Sequence, residues 1–495
     1  MRSDPARIAI LLLATLLAYV SSFHGVFQFD DYNVIVDNSR IHSLSAWWQH
    51  VIGIRPLLKL SYALNWISGL GVSGYHAVNL AIHCANAVLA YLLLKRFPAS
   101  DVNCHGETPP QIMTHRFAMT VSLSPCSLPE GERDVGSLRE FYANRAGDAA
   151  FIAALLFALL PVQTEAVTYI SGRSVSFMAL FYLAAMLAYA QGNRSNKVFS
   201  LLLFVAALLV KEVAVTLPLA LLLWEKARGT STSLAFRRTL PHWLLLALAG
   251  LLLLALRDYV NFFTSSFSLR SITDNLMTQL HAVTWLLMRL FALWGHNIDP
   301  DLPLIRHWTP LLLAEATLLA GLLFTGFRQN VIRPWLGFGI LWLLLHLLPT
   351  NSLVPRLDVA NERQLYLASI GACFMLANGF VTLRSSRPAW RVWLNVALTG
   401  WLVLLALATL SRNLDYRSEV ALWEATVTHS PAKARPWNNL GYAHALAGDT
   451  DRARLAYGKA IHLKPDYALA LQNLAAVEKQ PGRPRDVRPP TTQSR

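Results

Sequence analysis

The stretch "YHAVNLAIHCANAVLAYLLL", residues 75–94, contains no Asp, Glu, Lys or Arg and is followed at once by Lys95 and Arg96. A helix of this length, rising 1.5 Å per residue, crosses the ~30 Å hydrocarbon core of a bilayer. Runs of the same kind recur at residues 8–22, 239–256 and 392–410. Hydrophobic residues make up 54% of the 495 positions and charged residues only 15%, with a mean hydropathy of +0.38. That apolar content exceeds what one soluble core buries, so a soluble enzyme is excluded and an all-α, polytopic membrane protein is implied. The first run reads as an uncleaved span rather than a signal peptide, because no A-x-A-type site follows it.

The net charge of +14 could suggest nucleic acid, but the basic residues gather between spans, at 95–96, 226–238, 328–333 and 384–391. This is the positive-inside pattern, so the basicity reports topology and contact with anionic membrane lipid, with no nucleic-acid partner. It places residues 23–74 outside and 95–148 inside. Residues 98–147 form a polar insertion without helical or strand periodicity, expected to be a poorly ordered cytoplasmic loop. Spans are expected at 149–160 and 174–191, joined by a short outer turn, and two short runs, 198–210 and 213–224, read as a hairpin with Lys211 and Glu212 at its outer tip. Residues 276–294 are helical in pattern but conflict with the parity of the basic loops, as an interfacial helix, a re-entrant helix or a true span. The expected total is about eleven crossings. The cysteines at 84, 104, 126 and 373 have no ligand spacing, so neither a disulfide framework nor a zinc site is indicated.

Beyond the last span the composition changes. "WNNLGYAHALAGDTDRARLAYGKAIHLKPDYA", residues 437–468, places Trp437, Leu440, Gly441, Ala453, Tyr457, Ala460 and Pro465 at the spacings of a 34-residue helix-turn-helix repeat. The implied organisation is a membrane domain over 1–411, a tetratricopeptide-like repeat domain over 412–480 and a disordered tail over 481–495. So short an array is expected to lean on the membrane domain for stability.

Charges near a bilayer are costly unless paired, solvated or functional. Those at the expected outer ends of the spans include Asp30, Asp31, Arg55, Lys59, His76, Glu165, Arg173, Lys211, Glu212, Asp358, Glu362 and Arg363. Adjacent carboxylates such as Asp30 and Asp31 suit a general base with a supporting acceptor, although a solvated turn is the commoner role for such a pair. Arg55, Arg173, Lys211 and Arg363 are candidates to hold a phosphate, or equally to anchor at the interface or close salt bridges. Glu165, Glu212, Glu362 and Tyr366 are candidate supporting groups. His76 and His83 share one helix face with no third ligand in view, which favours packing or hydrogen bonding over a metal site.

Taken in chain order, "FDDYNVIVDN" (29–38), "RPL" with "SYALNW" and "GYHAVNLAIH", "LLPVQTEAVTYISGRS", "LVKE", "LPTNSLVPRLDVANERQLYLASIG" and the terminal repeat resemble the transmembrane and tetratricopeptide-repeat O-mannosyltransferases and their bacterial relatives. These fall in the GT-C class of polyprenyl-phosphate-sugar glycosyltransferases. The resemblance covers nearly all of the chain except residues 98–147 and the tail. It implies a GT-C-type membrane domain and transfer of a hexose, such as mannose, from a polyprenyl-phosphate donor to an acceptor hydroxyl outside the cytoplasm, with inversion. It further implies Asp30 as the catalytic base with Asp31 beside it, and Lys211, Arg363, Arg55 and Arg173 as groups for the departing lipid phosphate. A protein acceptor docked by the repeats and a bacterial inner-membrane location with a periplasmic active face follow from the same resemblance. It brings no definite cofactor, and a divalent metal is not indicated. Where members of the family usually carry His-Pro-x-His before "TEAV", this chain has Leu160 and Gln163, which leaves any metal or proton role of those positions, and the identity of donor or acceptor, in question. A lipid or polysaccharide acceptor is the nearest alternative. A transporter or flippase, or a repeat-based scaffold, are the alternatives of another class; inverted repeats and acidic residues deep in the spans, which a transporter would favour, are not evident.

Overall fold

The computed structural model describes residues 4–97, 135–255 and 257–479; most of the polar insertion, Cys104, Cys126 and the tail lie outside the described residues. The described chain is helical, with no strand among the described residues. Its first part comprises α1 (Asp4–Tyr19), α2 (Leu44–Gln49), α3 (Pro56–Ile67), α4 (Gly71–Lys95), α5 (Val135–Leu159), α6 (Thr164–Val167) and α7 (Arg173–Gln191). Then come α8 (Arg194–Val210), α9 (Leu217–Ala227), α10 (Thr232–Ala255), α11 (Arg257–Phe267) and α12 (Ile272–Arg289). The chain continues through α13 (Pro310–Ile332), α14 (Pro334–Leu347), α15 (Leu365–Ser386) and α16 (Arg391–Leu414), and ends in α17 (Glu419–His429), α18 (Ala434–Leu446), α19 (Thr450–Leu463) and α20 (Ala468–Lys479).

Among the described residues, seven helices are long and apolar enough to cross a membrane, or eight if the bent pair Asn144–Leu159 and Pro161–Val167 is one span. The chain is therefore a multi-pass membrane protein. The other named expected crossings fall on shorter or more polar helices: α8, α9 and α12. α5 begins at Val135 rather than near residue 149, so the end of the expected loop is helical. Asp148, inside that helix, is paired with Arg7 and Arg384, which removes the cost of a lone carboxylate there. The 276–294 pattern resolves into α12, which stops at Arg289. Its buried face is polar: the Asn275 amide donates to the Ser352 carbonyl and the Gln279 amide to that of Val359, at 3.2 Å.

The inner layer is α4, α5, α7 and α15, whose small and apolar residues pack on one another. By contrast α10, α13 and α16 expose Leu251, Leu254, Phe324, Val392 and Trp393 outward, the surface expected against lipid. α14 and α15 approach closely because Gly339 and Gly371 face one another: a Cβ on Gly339 would lie 2.9 Å from the Gly371 carbonyl. Such glycine contacts let helix backbones meet in a membrane.

Polar groups collect at two ends of this bundle. One holds the pairing of Asp4 with Lys95 and Tyr91, beside Arg7, Asp148 and Arg384. α1 starts there and leads to the other, where residues 25–43, the turn between α5 and α7, the break between α8 and α9, and the loop 348–364 come together. The C-terminal helices pack in sequence, α17 on α18, α18 on α19 and α19 on α20. Gly441 lies under the Tyr457 ring, 2.7 Å from where a Cβ would stand.

Gly371→Val should force α14 and α15 apart at a cost of about 1–3 kcal/mol, the usual range for overpacking. A fall in the thermal midpoint of the detergent-solubilised protein checks this, with Ala372→Gly as a nearby comparison that adds no volume.

Candidate active site

The acidic loop is shaped by a strained backbone. Phe29, immediately before the carboxylates, has φ +49, a left-handed conformation that costs a non-glycine residue ~1–3 kcal/mol and persists only where surroundings enforce it. Asp31 is buried and accepts bonds from the Gln28 amide at 3.0 Å, the Ser171 amide at 2.8 Å and the Ser171 hydroxyl. Burial still pushes its carboxyl up to about 7, those hydrogen bonds pulling the other way. Asp30 is half-buried, and its amide donates to the Tyr169 hydroxyl at 3.0 Å. Burial raises the Asp30 carboxyl, the Arg363 charge opposes the rise and Asp358 reinforces it. Asp31 thus fastens the loop to the α5–α7 turn, while Asp30 is the more accessible carboxylate.

Glu165, on that same turn, is the partner of Arg363. Its carboxylate accepts the Arg363 amide at 3.0 Å and lies 3.5 Å from the guanidinium. The Arg363 side chain also sits 5.8 Å over the Tyr169 ring. From there it lines a cleft shared with Lys211 and Arg356. Lys211 occupies the break between α8 and α9 in extended conformation, and its ammonium donates to the Ser174 hydroxyl at 3.3 Å. Burial, then the Arg55 and Arg363 charges, hold that ammonium well below its ordinary value. Arg356 is lowered too, first by burial and then by Arg363. The polar side chains of Thr350, Asn361 and Gln364 complete one wall, and Val175, Met178 and Leu367 supply apolar surface. The Gln364 amide group has no hydrogen-bond partner among the described residues. No Asp or Glu lines this cleft among the described residues, so its chemistry is that of an anion site with an apolar flank.

The other predicted residues divide. Arg55, with φ +56, is paired through two bonds with Glu212 beside Lys211, and the Arg55 charge holds the Glu212 carboxyl down at about 2 against burial. Arg173 is fully buried away from the cleft; its guanidinium serves Asn79 and the carbonyls of Ser61 and Tyr75, at 3.2 and 3.1 Å. Glu362 points away from Arg363, toward Arg289 at 3.0 Å and His296 at 2.7 Å. His76 packs against Gly25. Tyr366 lies deep, its hydroxyl 2.8 Å from His83 and accepting from Asn86 at 2.9 Å. Among the described residues no three His, Cys, Asp or Glu side chains converge as a metal site.

Arg356 was not singled out by the sequence reading, nor was the cluster in which Arg435 joins Asp299 and Asp358. A signal for Arg356 was present in its spacing from Arg363 within "PRLDVANER", but a lone loop arginine does not announce its neighbours.

Comparison with known proteins bears on what this arrangement serves. No protein-family model matches the chain, and no solved structure does. Curated relatives do. The chain is 28% identical to the Drosophila melanogaster protein O-mannosyl-transferase Tmtc3 over 92% of its own length and 55% of that protein. It is 26% identical to Mus musculus TMTC3, covering 97% of the chain and 53% of the relative, and 27% identical to Mus musculus TMTC4, covering 89% and 64%. The chain resembles the TMTC protein O-mannosyl-transferases along most of its length. It spans between about half and two thirds of the length of those relatives. At the two positions where the resemblance led one to expect histidines, Leu160 packs into the core and the Gln163 amide donates to the Ser369 hydroxyl at 2.8 Å. Both are filled by packing or bonding within the bundle.

An anion site predicts that a short-chain alkyl phosphate binds the solubilised protein and weakens with salt. Arg356→Gln should cost about 1.5–3 kcal/mol of that binding, the range for a hydrogen bond to a charged group, measured by titration calorimetry.

Proposed function

We propose that this chain is a GT-C-type glycosyltransferase that moves a sugar, mannose or another hexose, from a polyprenyl-phosphate donor to an acceptor hydroxyl of a protein. The observation that carries the reading is the convergence of Lys211, Arg356 and Arg363 on one cleft that no Asp or Glu lines among the described residues, with Arg363 also within electrostatic reach of Asp30. The names of the TMTC relatives support the reaction class. The positive-inside pattern supports an extracytoplasmic active face, in a bacterial setting the periplasmic face of the inner membrane.

In this mechanism the acceptor hydroxyl attacks the anomeric carbon from the face opposite the phosphate. Its proton passes to a carboxylate oxygen of Asp30, a new C–O bond forms, and the bond from the anomeric carbon to the phosphate oxygen breaks. The anomeric configuration inverts, and the lipid phosphate leaves carrying the electron pair. Lys211, Arg356 and Arg363 stabilise that growing charge. Arg55 acts on the cleft through its pairing with Glu212, and Arg173 holds the scaffold beneath it. Asp31 orients the loop. The repeat helices offer the protein acceptor a surface beside the acidic loop.

The test incubates purified protein with radiolabelled polyprenyl-phosphate mannose and a membrane extract, then separates protein from lipid and polysaccharide. Label should enter protein, and Asp30→Asn should lower transfer on the order of 10²–10⁴-fold. Label arriving only in lipid or polysaccharide would replace the acceptor class, and no transfer at all would overturn the reaction. The pH profile is a second measurement. A general base must be ionised, so the rate should rise with pH through the Asp30 pKa. That limb should lie above the ~3.9 of an unperturbed aspartate, because burial raises this group.

A further inference from the structure

The acidic loop is gripped from two sides, and one of them is the C-terminal segment. Behind Asp30, the Gln28 side-chain amide donates to the Tyr416 carbonyl at 2.7 Å. The Phe29 ring stands edge-on to Trp423 of α17, with centroids 5.3 Å apart. The guanidinium of Arg435, in α18, lies over the Phe29 ring, 5.8 Å from its centroid. Phe29, Tyr169, Tyr416, Leu422 and Trp423 form one buried apolar cluster. The Glu419 carboxylate at the start of α17 is 8% exposed, with the Phe29 backbone beside it.

The same arginine reaches the other half of the site. Arg435 pairs with Asp358 at 2.6 Å, two residues beyond Arg356 on the loop that supplies a cleft cation, and with Asp299. Lys433 joins Asp299 at 2.6 Å. One short segment, Trp423 to Arg435, therefore touches both the loop carrying Asp30 and the loop carrying Arg356.

We infer that α17 and the start of α18 are a brace for the reaction centre: Trp423 and Arg435 are positioning residues that hold Asp30 in register with the cation cleft. The left-handed Phe29 backbone is the element they act on. Released from the Trp423 ring, Phe29 would relax toward the ordinary negative-φ regions, and the carboxylate that follows it would turn away from the cleft. The C-terminal helices then have a part in catalysis separate from any docking of the acceptor. This inference rests on the proposed transfer for its kinetic readout, but not for its structural one.

The experiment compares the full-length wild type with Trp423→Ala, Trp423→Phe and a control, Val477→Ala, which removes buried volume from α20 away from Phe29. Hydrogen exchange and steady-state transfer are measured on each. Trp423→Ala should speed amide exchange at residues 29–31 by up to about tenfold, the loss of one aromatic pair. It should lower kcat on the order of a hundredfold, the effect of a displaced catalytic group, with KM for the donor nearly unchanged. Trp423→Phe should restore most of kcat by keeping an edge-on ring, and Val477→Ala should leave both readouts at their wild-type values. Exchange at 29–31 that stays protected in Trp423→Ala, or a kcat loss that Val477→Ala reproduces, overturns the brace. A wild type without transfer would defeat the proposed reaction instead, and the exchange result would still decide the brace.

Discussion

The site is organised around the contact between Glu165 and Arg363. Taking two charges out of water costs several kcal/mol per ion unless geometry and added hydrogen bonds repay it. Here the carboxylate of a short turn accepts the backbone amide of one arginine and lies 3.5 Å from its guanidinium, so the α5–α7 turn is held against the start of α15. Tyr169 on that turn touches the Asp30 amide on one side and the Arg363 guanidinium on the other. Ser171 on the same turn holds Asp31. One ion pair thereby locates the carboxylate loop and the cation cleft relative to each other. Gly172 makes the turn tight enough, because a Cβ there would collide with the Glu165 carbonyl.

Much of the membrane fold was legible because long helices facing lipid have a simple sequence signature. α10 and α16 are runs of apolar residues with basic ones at their ends. α12 was not legible for the opposite reason. Its apolar residues look like a span, but its buried face carries Asn275, Thr278 and Gln279, whose partners lie on loops remote in sequence. The start of α5 was hidden by polarity: Asp148 reads as loop until Arg7 and Arg384 are seen beside it.

Among the candidate residues, Asp30, Glu165, Lys211 and Arg363 lie in one neighbourhood, and adjacency in sequence is the poorer guide. Glu362 and Arg363 are consecutive, but they lie in a tight 3-10 turn where successive side chains leave at wide angles. Arg363 goes to Glu165 and the cleft, Glu362 to His296 and Arg289. Arg173 follows the Gly172 turn and is carried inward between α3 and α4, where it stacks 5.0 Å from the Tyr62 ring. Arg356 has no distinguishing neighbour in sequence, and only the folding of its loop against α7 and α15 reveals what it faces.

The distribution of pairing within the cleft bears on how the proposed reaction would be driven. Arg55 is answered by Glu212 and Arg363 by Glu165, whereas Lys211 and Arg356 form no ion pair with a carboxylate among the described residues. Burial and the neighbouring Arg363 and Arg55 charges hold both cations below their ordinary proton affinity, so an arriving anion strengthens their hold on the proton. A sugar-phosphate diester carries one negative charge, and the lipid phosphate left behind is a monoester with a second ionisation near pH 6. In the proposed reaction the two cations would therefore favour the leaving group over the donor. An interaction that grows along the reaction coordinate lowers the barrier, while one equal in both states would only tighten binding.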